Sequence, residues 1–314
     1  LDIKLKYEGN QAEPHKMIVL NDKLYLLYTG YGDRQKKLLL SEIDPETLNF
    51  LGEPIILSAV KTSSQILVEQ SKNGRFFSVL AYWEGKDNSK AYVRCYDNNF
   101  QLLYEDLKDI DLEFKRNKCS QLVVDDEGNT FAIIEESFVL PMNSPVFWQK
   151  YKSGESIISP VKDENDRYRV GKARVLLVEE VVLLAGYYTQ EEFKRDGTKG
   201  IAFMAYNKGD KGNSKKADVL LPTDISKYTD HLTYDRGRNS EEMLGLTTIG
   251  MEDWDGHGYL VVGERRCAYP KSEDDYAVDA VAFVSLVDYS LSKVHWTIPV
   301  CKYFSSTDKS NGLY

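Results

Sequence analysis

Met17-Ile18-Val19-Leu20-Asn21-Asp22-Lys23-Leu24-Tyr25-Leu26-Leu27-Tyr28 is two short apolar runs joined by a pair of turn residues. Short runs rich in Val, Ile, Leu and Tyr, broken by residues that tolerate positive φ, predict a β-hairpin. The pattern recurs along the chain. Asn73-Gly74 separates Gln65–Glu69 from Phe76–Trp83, and Glu127-Gly128 separates Leu122–Asp125 from Thr130–Ile134. Glu179-Glu180 separates Arg174–Val178 from Val181–Ala185, and Asp255-Gly256 separates Leu244–Ile249 from Tyr259–Val262. Glu179-Glu180 is poor turn chemistry and is placed by its position in the repeat.

Each hairpin is followed by a polar segment, a third strand and a shorter fourth strand. The third strands end at Asp44, Asp97, Lys152, Asn207 and Asp288. The first four lie at intervals of roughly 55 residues, and the last interval is about 27 residues longer. Four strands per unit of roughly 50 residues is the signature of a propeller blade. No helical periodicity of ten or more residues interrupts it, so an α/β fold is excluded. The fold class expected is all-β: a β-propeller with about five readable four-stranded blades, treated as one domain over 1–314. The blades fall near 12–60, 61–115, 116–165, 166–221 and 243–302. An insertion occupies 222–242, and a further blade is expected to start at 303–314. The first residue, Leu1, and the ending Ser310-Asn311-Gly312-Leu313-Tyr314 suggest a trimmed chain and a truncated six- or seven-bladed ring.

Composition narrows the function classes. The 314 residues are 42% hydrophobic with a net charge of −9, which argues against a nucleic-acid or anionic-membrane partner. No apolar run is long enough to span a membrane as a helix. Cys95, Cys119, Cys267 and Cys301 form no CxxC or Cys/His cluster, and HExxH is absent, so no metal site is expected. Asp253-Trp254-Asp255-Gly256-His257-Gly258 resembles part of a calcium loop. The count places Glu264 where the closing glutamate belongs, but inside a strand. Phosphate-binding glycine loops and the GxSxG elbow are missing, and no cofactor and no catalytic residue is assigned.

Loops in a propeller alternate between two faces. The connections between second and third strands, with those between blades, share one face, and insertions gathered on one face of a repeat array mark its binding side. The long segments expected there are 30–37, 83–90, 135–144, 188–199, 222–242 and 265–280. Tyrosine, tryptophan and arginine suit contact with protein or glycan, since each joins a flat apolar area to a polar edge. The contact residues chosen on that basis are Tyr31, Arg34, Trp83, Tyr188, Tyr228, Asp230, His231, Tyr234 and Arg265. Innermost strands begin at His15, Gln65, Gln121 and Arg174, which would bring polar groups to a channel mouth. The reading favours a non-enzymatic binding or scaffold protein. The alternative is a glycoside hydrolase with paired carboxylates, drawn from Glu13, Asp33, Glu84, Glu192 and Asp230.

Asp22–Tyr28 leading to Glu42–Leu48 resembles the opening of a family of uncharacterised bacterial propeller-like proteins. Leu184–Tyr188 followed by Lys199–Phe203, and the segment from Trp296–Pro299 to Tyr314, are similar to the same family. The resemblance implies a secreted or envelope protein, an extracytoplasmic location and a missing C-terminal part, and it transfers no activity. Asp22–Gly30 is also similar to blades of five-bladed glycoside hydrolases. Glu13-Pro14-His15 stands near the place of that family's catalytic aspartate but departs from it.

Overall fold

The computed structural model describes residues 5–32, 35–61, 64–83, 89–110, 117–136, 145–161, 168–170, 172–190, 200–208, 214–220, 247–270 and 276–306. Among these there is no helix. A two-stranded hairpin, β1 (Lys6–Tyr7) and β2 (Asn10–Gln11), precedes five antiparallel sheets. Sheet 1 runs in sequence order through β3 (Glu13–Leu20), β4 (Lys23–Gly32), β5 (Gln35–Ile43) and β6 (Phe50–Val60). Sheet 2 comprises β7 (Gln65–Gln70), β8 (Phe76–Trp83), β9 (Ser89–Asp97) and β10 (Leu102–Ile110). Sheet 3 comprises β11 (Asn117–Val124), β12 (Thr130–Glu136), β13 (Val146–Lys150) and β14 (Ser156–Pro160). Sheet 4 adds a short β15 (Tyr168–Val170) to β16 (Arg174–Val178), β17 (Val181–Gln190), β18 (Gly200–Asn207) and β19 (Ser214–Leu220). Sheet 5 comprises β20 (Thr247–Trp254), β21 (Gly258–Pro270), β22 (Tyr276–Val287) and β23 (Val294–Ser306).

The chain divides into two compact units, 1–134 with 147–159 and 135–146 with 160–314. In the first unit, β3, β7 and β11 lie side by side. Lys16 on β3 pairs with Glu69 on β7, and the Gln70 amide donates to the Val19 carbonyl. In the second unit, β16 lies beside β20. Within each unit the first strand of one sheet thus lies next to the first strand of the following one, the arrangement of four-stranded β-propeller blades.

Alternation along the strands builds the core. Ile18, Leu27, Leu38 and Leu40 of sheet 1 meet Ile66, Val68, Phe77 and Val79 of sheet 2. Leu80, Val93 and Tyr82 on the other face of sheet 2 meet Leu122, Ile134 and Trp148 of sheet 3. In the second unit, Tyr187 of sheet 4 lies in one cluster with Val261 and Phe283 of sheet 5. Its phenol reaches the Val261 carbonyl and Ser285 Oγ, both at 3.3 Å, and complete burial pushes its ionisation far up. Gly263 makes room for that ring, because a Cβ there would fall 2.4 Å from Tyr187 Cε2.

The hairpin turns depart from the expected type. Only Asn21 (φ 49°) and Asp22 (φ 60°) both take positive φ, as a type I′ turn requires. At the next two turns only Gly74 and Gly128 are left-handed, each donating its N–H to the residue three back, Ser71 or Asp125. The same device closes the turn between third and fourth strands. Asp97 accepts N–H groups from Asn99 and Gln101 on its carboxylate, and Asp288 accepts from Ser292 and Lys293. In sheet 3 the equivalent residue is Tyr151 and not Lys152, since Gly154 donates to the Tyr151 carbonyl.

Two expected long loops are largely strand. Sheet 1 pairing continues to Gly32↔Gln35, and sheet 5 pairing continues to Pro270↔Tyr276. Among the described residues of 30–37 and 265–280 the ladder is continuous. Sheet 4 departs as well. β15 and β16 pair with different halves of β17, and the chain between them crosses Gly186, where a Cβ would lie 2.2 Å from Val170 Cγ1.

Candidate functional site

The clearest polar constellation among the described residues lies at the end of sheet 1 where β4 passes to β5. Glu13 opens β3 opposite Thr29, and Tyr31 stands opposite Lys36. The ladder shifts between Pro14 and Lys16, which puts His15 on a bulge. Pro14 has no N–H to give to the ladder, so this is where it breaks most cheaply. His15 Nε2 lies 3.1 Å from Thr29 Oγ1. Thr29 is buried, and so is Lys36 at 7% exposure.

The buried Lys36 ammonium is held by Glu13, with Nζ 3.2 Å from Oε2, while the Glu13 side chain stays 65% exposed. A lysine at this depth needs such a partner. Burial lowers the His15 pKa below the ordinary histidine value. Glu13 opposes that shift and Lys36 adds to it. The imidazole is therefore neutral at pH 7, one ring nitrogen at most acting as donor. The Glu13 carboxylate is thus engaged by a buried lysine. Tyr31, 39% exposed, stands beside this pair, and its carbonyl accepts from Asn10 Nδ2 at 3.1 Å.

The other expected residues are distributed as follows. Trp83 ends β8 half-buried, with Lys61 Nζ 6.0 Å from its ring centre. Gln65 clips β7 to β11, its amide exchanging two 3.1 Å hydrogen bonds with the backbone of Cys119. Its polar group thus serves the strand-to-strand contact. Gln121 is half-buried on β11. In the second unit, Arg174 Nη1 lies 3.8 Å from the buried Glu135 carboxylate and donates to the Ala173 carbonyl at 2.7 Å. Tyr188, expected on an exposed loop, is a β17 residue with 3% exposure, because pairing with Gly200 and Val170 carries the strand past it. Arg265 lies on β21, its side chain outside the described ones. Arg34, Tyr228, Asp230, His231 and Tyr234 lie outside the described residues, as do Asp33, Glu84 and Glu192. Asp253–Gly258 is a hairpin tip in which Tyr289 donates to Asp253, and Glu264 is buried on β21.

Sequence reasoning missed Lys36 and Thr29. A signal was present: Lys36 shares the two-residue phase of Leu38 and Leu40, which point into the core.

No protein-family model and no curated protein matches the chain. Among solved structures it is similar to prolyl oligopeptidase B from Galerina marginata bound to a 25mer macrocyclization substrate. The identity is 8% and the TM-score 0.41, over 91% of this chain and 41% of that one. A second structure of that enzyme is covered to 44%, so the chain spans less than half the length of either. The β-propeller domain of the Trilobed protease from Pyrococcus furiosus is similar over 93% of this chain and 83% of its own, at 8% identity and a TM-score of 0.39. A GH43 β-1,3-galactosidase is similar over 95% of this chain and 58% of its own, at 10% identity and a TM-score of 0.34.

Proposed function

We propose that this chain is a non-enzymatic binding propeller that contacts protein or glycan through the sheet end where second strands pass to third strands. One observation carries the reading. Tyr31 stands exposed beside an ion pair whose lysine is buried, giving a flat aromatic surface on a fixed, charged support. At the same end of sheet 2, Trp83 has the Lys61 ammonium 6.0 Å from its ring centre. The residues of the 222–242 insertion, Tyr228, Asp230, His231 and Tyr234, belong to the same proposal on sequence grounds. An extracytoplasmic setting is also part of it, carried by the family resemblance.

The test is capture on glycan and envelope-protein arrays beside a panel of chromogenic glycosides. Tyr31→Ala and Trp83→Ala together are expected to weaken capture at least about tenfold, with the melting temperature held within a few degrees. Capture that survives both changes, or absence of capture on every array, overturns the proposal. Glycoside turnover abolished by Glu13→Gln would establish the hydrolase in its place.

A further inference from the structure

We propose that the cleft between the β1–β2 hairpin and β6 is a binding site for a small organic cation, an ammonium head group in particular. The site is separate from the sheet end discussed above and does not depend on that reading.

The cleft arises from a defect in sheet 1. Pairing of β5 with β6 shifts between Leu40↔Ile55 and Glu42↔Leu51, so β6 bows away opposite Ser41. The bow contains Gly52 in the left-handed region (φ 73°) and Pro54, which has no N–H to offer the ladder. Bulges of this kind concentrate beside functional sites. The opposite wall is the hairpin, which rests on β4 at two glycines. A Cβ at Gly30 would meet Tyr7 Cβ at 2.5 Å, and one at Gly32 would meet the Glu8 carboxylate at 2.4 Å. The cleft is partly open to solvent and holds about 270 Å³, close to the small end of ligand pockets, which begin at about 300 Å³.

The lining chemistry selects a cation. Three rings contribute: Tyr7 from the hairpin, Tyr28 from the floor and Phe50 from β6. The Tyr28 and Phe50 ring centres stand 6.1 Å apart with their planes tilted by 42°. The Tyr28 hydroxyl is tied to Ser41 Oγ at 3.0 Å, which fixes that ring. Two carboxylates, Glu8 and Glu53, complete the walls. Glu8 lies 3.7 Å from Lys37, whose ammonium also sits 5.7 Å from the Tyr7 ring centre. A cation over an aromatic face is thus already present at the rim. Glu53 has no ion-pair partner among the described residues, and it lies near enough to Tyr28 to help hold that phenol protonated. Lys6 lines the same cleft and is exposed, so Glu8 and Glu53 stand against Lys6 and Lys37, and with Glu8 assigned to Lys37, Glu53 is the carboxylate left without an ion pair among the described residues. Aromatic faces with an uncommitted carboxylate are the recognition chemistry of ammonium groups.

The experiment titrates the intact chain with choline and with its neutral isostere 3,3-dimethylbutan-1-ol at constant ionic strength, followed by calorimetry and by backbone amide NMR. Saturable choline binding at least about tenfold tighter than the isostere is expected, with shifts at Ser41 and Phe50. Phe50→Ala and Glu53→Gln, both at exposed positions, are each expected to weaken it about fivefold to thirtyfold, with circular dichroism unchanged. Equal affinity for the two probes, absence of saturable binding, or variants that bind as the parent does would each overturn the assignment.

Discussion

His15 is the residue whose environment has the plainest consequence in solution. Its imidazole is half-buried against Thr29, and burial lowers its pKa in the folded chain. In the unfolded chain it takes up a proton near the ordinary value of about 6.5. Below that pH the unfolded state therefore holds more protons than the folded one. Stability is expected to fall as pH drops under about 6.5, and to stop falling once the folded imidazole is also protonated. His15→Gln should remove this part of the pH dependence. Urea midpoints taken at about pH 7.5 and about pH 5 would then lie closer together than in the parent; an unchanged gap would assign the dependence elsewhere. The neighbouring Lys36 shows how a residue type misleads when read alone. Its place in the strand phase, not its charge, sets its burial.

Turns and bulges are where the elements carry most of their information. The Asp44 carboxylate accepts the N–H groups of Glu46 and Thr47, and Leu48, which donates to the Asp44 carbonyl, is held at φ 56°. A non-glycine residue there costs about 1–2 kcal/mol. Leu48 is 39% exposed, so little packing is lost with its side chain. Leu48→Gly is therefore expected to stabilise the chain by up to about 1 kcal/mol after the added freedom of the unfolded state is subtracted. Thermal unfolding would register this as a higher midpoint, and a lower one would show that the Leu48 side chain packs more than its exposure implies. The bow in β6 at 52–54 is the corresponding feature of a strand. Its pairing shift is set by the partner strand β5 and shows only in the structure.

At the scale of the whole molecule, stability rests on apolar layers between consecutive sheets within each unit. Phe77 is fully buried between sheets 1 and 2 and stacks on Tyr96 with centres 5.0 Å apart. Phe77→Ala removes a large side chain from a layer that has little freedom to collapse, and is expected to cost about 3–5 kcal/mol. Denaturant unfolding should show a lower midpoint with an unchanged slope. A loss under about 1 kcal/mol would mean the layer repacks freely.

The hairpin repeat alone determined the fold class, because two-residue alternation and turn residues are local properties that a blade expresses without help from distant chain. Four of the five sheets follow the strand order that Asn21-Asp22 and its counterparts indicate, and sheet 4 adds β15 to it. Candidate residues were legible only as types. Tyr31 is exposed as a contact residue must be, whereas Tyr188, of the same type and also near a strand end, is buried. Gln65 and Arg174, read as polar groups for a channel mouth, are engaged by Cys119 and Glu135. Those partners lie far along the chain, and burial and pairing between separate sheets are set by packing. The local sequence thus determined the strands, and tertiary structure alone decided which polar side chains remain available and where a cleft opens between them.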